Sequence, residues 1–148
     1  MMLAELLEVI RRDWSWAIAD PREVVSVSPF GNVIVVDAAG RVWRISPEEL
    51  SCTVLAESTR DFDRIYADRE FQEDWLMPPA REQAERELGS LGQGHSYCFK
   101  TPPVLGGTYG AENLGTVPTA QLLAFAGDVG RQIKDLPDGA SVRFKLDV

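Results

Sequence analysis

Residues 24–57 constrain the fold most strongly, because they hold short apolar runs separated by clusters of turn-forming residues. Val24, Val25 and Val27 make a first run. The turn cluster Pro29-Phe30-Gly31-Asn32 leads into Val33-Ile34-Val35-Val36. Asp37-Ala38-Ala39-Gly40 has the composition of a hairpin loop, with Gly40 able to take a positive φ. From Arg41 to Ile45 charged and apolar side chains alternate, the mark of a half-exposed strand, and residues 51–57 suit another after the Ser46-Pro47 turn. Consecutive short strands joined by tight turns pair with their neighbours, so the segment predicts an antiparallel meander of at least three strands.

The flanking segments carry helical periodicity. Leu3, Leu6, Leu7, Ile10, Trp14 and Ile18 recur at three- and four-residue steps, which predicts an amphipathic helix over 3–19, stopped by Pro21. Trp14 and Trp16 cannot both face the core of one helix, so one sits at its edge or the helix ends early. Residues 59–88 are helical and charged. Phe62, Ile65 and Tyr66 share one face, Phe71, Trp75 and Leu76 another, and Pro78-Pro79 starts a surface helix over 79–88 with Glu and Arg interleaved. After the connector 89–94, residues 95–100 read as a strand and 101–115 as a long Pro/Gly loop. Thr119 to Lys134 is the clearest helix, with a stripe of Leu122, Phe125, Ala126, Val129 and Ile133 and with Thr119 as its N-cap. A turn at 135–139 and a strand over Val142–Leu146 close the chain. The expected architecture is α+β: one domain over residues 1–148, an antiparallel meander packed by the N-terminal and C-terminal helices.

Charge and composition narrow the function classes. Fifteen Lys and Arg against 23 Asp and Glu give a net charge of −8. Phosphate binding needs a basic face, so nucleic acid and anionic membranes are not expected as partners, whereas a basic protein would be attracted. No run approaches the roughly 18 apolar residues of a membrane helix, and Glu5 and Glu8 interrupt the apolar start, unlike a signal peptide. The expectation is a cytoplasmic protein. Cys52 and Cys98 sit in apolar runs without metal-ligand spacing and are expected as free, buried thiols.

No catalytic, metal or cofactor constellation stands out. His95 is the only histidine. In a strand it would point away from both Ser96 and Cys98, so neither a serine nor a thiol hydrolase is expected. Gly106-Gly107-Thr108-Tyr109-Gly110 lacks the spacing of either nucleotide-binding glycine motif, and its glycines are expected to serve the backbone. The acidic residues between Asp61 and Asp74 do not have the spacing of a calcium loop. Candidate partner contacts are Trp43 and Arg44, which alternate on a strand with Arg41, together with Tyr109 and Glu112 in the long loop.

Residues 97–109, Tyr-Cys-Phe-Lys-Thr-Pro-Pro-Val-Leu-Gly-Gly-Thr-Tyr, are followed by Asn113-Leu114 and by a helix ending Gln132-Ile133-Lys134-Asp135-Leu136-Pro137-Asp138-Gly139. Phe30-Gly31-Asn32, Asp37 and Gly40 before Val42-Trp43, and Phe71 with Trp75-Leu76 stand upstream. This pattern, over roughly residues 14–140, resembles the C-terminal domain family of immunity proteins paired with DNase toxins of type VI secretion. The resemblance implies a non-catalytic protein that binds a secreted, basic toxin inside the cell and blocks it, without a cofactor. The alternative is a small enzyme or ligand-binding domain that uses the glycine-rich loop 95–110.

Overall fold

The computed structural model describes residues 2–137. The strand expected over Val142–Leu146 and the end of the turn at 135–139 lie outside the described residues. The centre of the fold is a four-stranded antiparallel sheet in sequential order, β1 (Pro21–Val27), β2 (Val33–Asp37), β3 (Val42–Ser46) and β4 (Ser51–Ala56). It is the meander expected from the alternating runs. Asp37 closes the β2–β3 hairpin: one carboxylate oxygen accepts from the backbone N–H of Ala39 (2.9 Å) and Arg41 (3.0 Å), the other from Trp43 Nε1 (2.8 Å). Burial works to raise this carboxyl's pKa, but the three hydrogen bonds and the Arg41 charge outweigh it and hold the group below its ordinary value.

Helices cover both faces of the sheet. Val33, Val35 and Ile45 pack beneath α1 (Met2–Asp13) and α5 (Thr119–Ile133), against Leu6, Ile10, Trp14, Leu123 and Val129. Ile34, Val42 and Ala56 face the other way, toward Phe62 and Trp75 of α2 (Thr59–Ala67) and α3 (Arg69–Leu76). The half-exposed character expected of β3 is thereby corrected. Arg44 is covered by the rings of α3 rather than by water, with its guanidinium 5.3 Å from the Trp75 ring centre and 5.9 Å from that of Phe71.

The first helix ends at Asp13, not near residue 19. Both tryptophans leave the helix and turn onto α5, stacked with ring centres 5.4 Å apart. Trp14 Nε1 donates to the Leu123 carbonyl (3.0 Å), and Trp16 Nε1 donates to the Gly127 and Asp13 carbonyls (3.1 and 3.0 Å). Glycine is required for this contact. A Cβ at Gly127 would lie 2.6 Å from the Asp13 carbonyl oxygen, and one at Gly130 would lie 2.8 Å from the Trp16 ring.

After α4 (Pro78–Leu88), β5 (His95–Phe99) pairs antiparallel with β6 (Leu114–Pro118). β6 replaces the end of the loop expected over 101–115, with Leu114 and Gly115 in the strand. Its five residues include a glycine and a proline, so its alternation is faint, and its partner lies about twenty residues upstream. This pair is a separate two-stranded sheet, tied to the β1–β2 turn where Tyr97 N–H donates to the Pro29 carbonyl (2.8 Å). Thr119 does not cap α5. Pro118 holds the cap position, and the Thr119 hydroxyl pairs with buried Ser96 Oγ at 2.6 Å. The stripe of α5 holds at Ala126 and Val129, which are buried in the main core together with Leu123, while Leu122 and Phe125 are only half-buried.

Candidate functional site

Asn32 enters β2 fully buried and bonds through every polar atom it has. Its N–H donates to Ser28 Oγ (3.1 Å), and its carbonyl accepts from Ser28 N–H (2.8 Å). Its Oδ1 accepts from Arg44 Nε (3.0 Å) and Ser46 Oγ (2.8 Å). Its Nδ2 donates to both carboxylate oxygens of Glu48 (3.1 and 2.8 Å). Glu48 lies in the 3-10 turn Pro47–Glu49 between β3 and β4, and only 9% of it is exposed. Burial raises its pKa, which its own backbone N–H, the Asn32 amide and the Arg44 charge partly offset. Arg44 continues the network to an ion pair with Asp74 on α3.

Glu48 is also part of the wall of a cleft of about 220 Å³. The cleft is framed by the 3-10 turn, β5, Val117 of β6 and the first half of α5. Its apolar lining comes chiefly from Phe30, Phe99, Leu122 and Phe125, with Lys100 and Gln121 at exposed positions of the rim. Leu122 and Phe125, expected in the core stripe of α5 but only half-buried, form part of the cleft wall. Cys98 lines the cleft as a free thiol, raised in pKa by burial, with Lys100 and the Gly115 N–H acting the other way. Cys52 is free as well, and burial pushes it up to about 12. Neither thiol has the depressed pKa of a nucleophile.

One rim of the cleft continues into the loop between β5 and β6, which Asn113 staples. Its Nδ2 donates to the Thr101 and Thr108 carbonyls (2.8 and 2.7 Å), and its Oδ1 accepts from Thr101 N–H (2.8 Å). Gly107 must be glycine there, since a Cβ would stand 1.9 Å from the Thr101 carbonyl oxygen. Gly106 takes φ +99. Both glycines shape the backbone, and neither lines the cleft. Tyr109, 54% exposed, meets the edge of Phe99 at 5.0 Å between ring centres. Its phenol is raised in pKa by burial and then by the charges of Glu48, Glu49 and Asp74. Glu112 accepts from Thr108 Oγ1 at 2.6 Å, and that bond leads the causes holding its pKa below the ordinary value.

The four candidate contact residues do not form one patch. Arg44 and Tyr109 both belong to the surroundings of Glu48 and Asp74. Trp43 points to the opposite face of the sheet, toward the α1–α5 core, tied to Asp37 and stacked under Arg41 at 5.4 Å. Glu112 is occupied within its own loop. Asn32, Glu48 and Asn113 were missed, because a polar residue in a turn reads as solvent-facing and only tertiary contacts bury it. His95 is exposed, with Nδ1 3.0 Å from the Gln93 carbonyl. Ser96 is occupied by Thr119, so the two form no dyad. Among the described residues no group of three or more His, Cys, Asp or Glu could hold a metal ion, and no helix is long and apolar enough to cross a membrane.

Comparison with known proteins gives a family and a fold. Residues 56–130 match the family described as "T6SS immunity protein Tdi1, C-terminal". This stretch runs from the end of β4 into the second half of α5 and makes up half of the chain. The crystal structure of Atu4351 from Agrobacterium tumefaciens superposes with a TM-score of 0.57 at 17% identity, over 82% of this chain and 63% of that one. At that identity the likeness is one of fold, and this chain spans less than two thirds of that protein's length. No curated protein matches the sequence.

Proposed function

The chain belongs to the T6SS immunity protein Tdi1 C-terminal family, and from that membership we propose that it binds and neutralises a secreted toxin without chemistry of its own. The reading rests on the family match over residues 56–130. The whole of residues 1–148 acts as one immunity-like domain in the cytoplasm, and the toxin is a basic protein, a nuclease by the family's pattern. A net charge of −8 favours such a partner. Inhibition requires only a surface that covers the toxin's working groove, so the absence of a nucleophile–base pair around His95, Ser96 and Cys98 is compatible with it.

Co-expression with the toxin encoded beside this gene tests the proposal. The expected result is restored growth and a tight complex. Association should slow steeply as salt rises, because the Debye length falls from roughly 30 Å at 0.01 M to about 8 Å at 0.15 M. Dissociation should depend on salt much less, being governed by the buried contact. No rescue and no complex would remove the immunity reading. Salt-independent association would remove only the charge argument. A ligand-binding domain stays as the second reading on one observation: Cys98 and Phe99 at the end of β5, with Lys100 and Pro102 at the start of the β5–β6 loop, wall the cleft.

A further inference from the structure

We propose that the cleft beside Glu48 receives a single arginine side chain of the toxin, with its stem against the aromatic wall and its guanidinium on the Glu48 carboxylate. The inference rests on the immunity reading for the identity of the partner, and on the cleft itself for the chemistry.

Size comes first. Small-molecule sites usually span roughly 300–1,000 Å³, so a cleft of about 220 Å³ suits one long side chain better than a cofactor. Lining comes second. Phe30, Phe99, Leu122 and Phe125 offer apolar and ring surface to an extended stem, and Glu48 is the only acidic group in the wall. A ligand that fits both needs a long apolar body and a cationic end. Arginine has both, and its weakly hydrated, planar guanidinium stacks on ring faces where an ammonium would hold its water.

Glu48 is also under-matched within the chain: its carboxylate accepts from Asn32 Nδ2 at both oxygens and from its own backbone N–H, although a carboxylate has about four acceptor sites. Among the described residues no cation forms a salt bridge with it. The guanidinium of Arg44 is spent on Asn32 Oδ1 and Asp74. Lys100, on the cleft rim, runs along β6, where its Cγ and Cε lie 3.6 and 3.5 Å from the place of a Gly115 Cβ. A buried glutamate in a cleft wall, with no salt bridge and with the Arg44 charge only partly offsetting its burial, is suited to a counter-ion brought by a partner.

The test has one arm that needs no toxin. The folded chain, labelled with nitrogen-15, is titrated with n-butylguanidinium and separately with its neutral near-isostere n-butylurea. The proposal expects saturable shifts at the amides of Glu48, Val117, Leu122 and Phe125, weakened about tenfold or more for the urea and for Glu48→Gln, as befits the loss of a charge-assisted hydrogen bond. Equal response to the two probes, no response, or shifts elsewhere would overturn it. Gln121→Trp, an exposed substitution at the rim, blocks the cleft without touching Glu48 and must abolish the same shifts. In the second arm both variants are co-expressed with the toxin, and each should weaken the complex at least about tenfold, on the scale of a lost interface anchor. Full protection by both variants would overturn the proposal while leaving immunity intact. If the unaltered chain fails to protect, the immunity reading fails instead, and the guanidinium titration still decides the chemistry of the cleft.

Discussion

Helix α5 is packed in two different ways along its length. In its second half Gly127 and Gly130 bring the backbone against Asp13, Trp14 and Trp16, so closely that a methyl group has no place. In its first half Leu122 and Phe125 stand half-buried before an open cleft. The polar groups divide by face: the indole N–H groups of Trp14 and Trp16 reach the Leu123 and Gly127 carbonyls of α5, while on the cleft side the buried carboxylate of Glu48 accepts from Asn32 Nδ2 and from its own backbone N–H. One end of the helix is built as a scaffold, and the other leaves apolar surface and charge available to something outside the chain.

The contrast is broken most directly at the closed end. Trp14→Ala should cost about 3–5 kcal/mol, the usual range for truncating a buried large aromatic. Denaturant unfolding would measure it, and a cost below about 1 kcal/mol would mean that the tryptophan contact does not hold the two ends of the chain together. Gly127→Ala comes next, at about 2 kcal/mol, because its clash is with the Asp13 backbone rather than with a side chain that can swing away. A neutral result in thermal melts would show that α1 can slide along α5.

The open end should respond more weakly. Gly107→Val is expected to lower stability by more than about 1 kcal/mol, since its new Cβ would collide with the Thr101 carbonyl. Lost toxin binding with an unchanged melting temperature would instead make this glycine part of a binding surface. Phe125→Ala should cost only about 1 kcal/mol, far less than a fully buried phenylalanine, because the ring already borders open space. A loss as large as that of Trp14→Ala would mean that the cleft closes in solution.

The two regions also differ in how far the sequence reveals them. The meander was legible because strand periodicity and turn chemistry are local properties. The end of α1 was half-legible: two tryptophans two residues apart require something other than a continuous helix, but the glycines that receive them lie more than a hundred residues away. The stripe of α5 is legible at Ala126 and Val129 but not at its start. Leu122 and Leu123 are equally apolar, and only the placement of β5 and the 3-10 turn decides which of them meets the core. Glu48 was invisible as a site residue, because Pro-Glu-Glu after a strand reads as an exposed turn. Its burial comes from Asn32, sixteen positions upstream. The glycine-rich run drew attention as a possible ligand loop, yet its residues serve the Asn113 staple. Chemistry that depends on long-range burial leaves no local pattern to read.

The smallest expected effect has the opposite sign from all the others. Glu48→Gln should stabilise the protein slightly at neutral pH while impairing the proposed contact, as happens where function maintains a strained group. The sign follows from linkage. Burial, the largest cause, raises the folded-state pKa of Glu48 above its ordinary value of 4.5. Between that value and the raised one the folded chain binds the proton more tightly than the unfolded chain does. Stability contributed by this group is therefore full below about pH 4.5 and is lost as pH rises through the folded pKa. Glutamine keeps an oxygen for Asn32 Nδ2 and has no charge to desolvate, so it escapes that loss. It also gives up the attraction of Arg44, but that attraction ranks below burial among the causes, which leaves the balance on the stabilising side. The gap between the variant and the unaltered chain should open across this window, stay constant above it, and close in acid. Melting temperatures of both proteins from pH 4 to pH 8 would show it. A gap independent of pH, or a variant less stable at pH 7, would mean that the carboxylate is satisfied where it stands and that the open end of α5 holds no unmet charge.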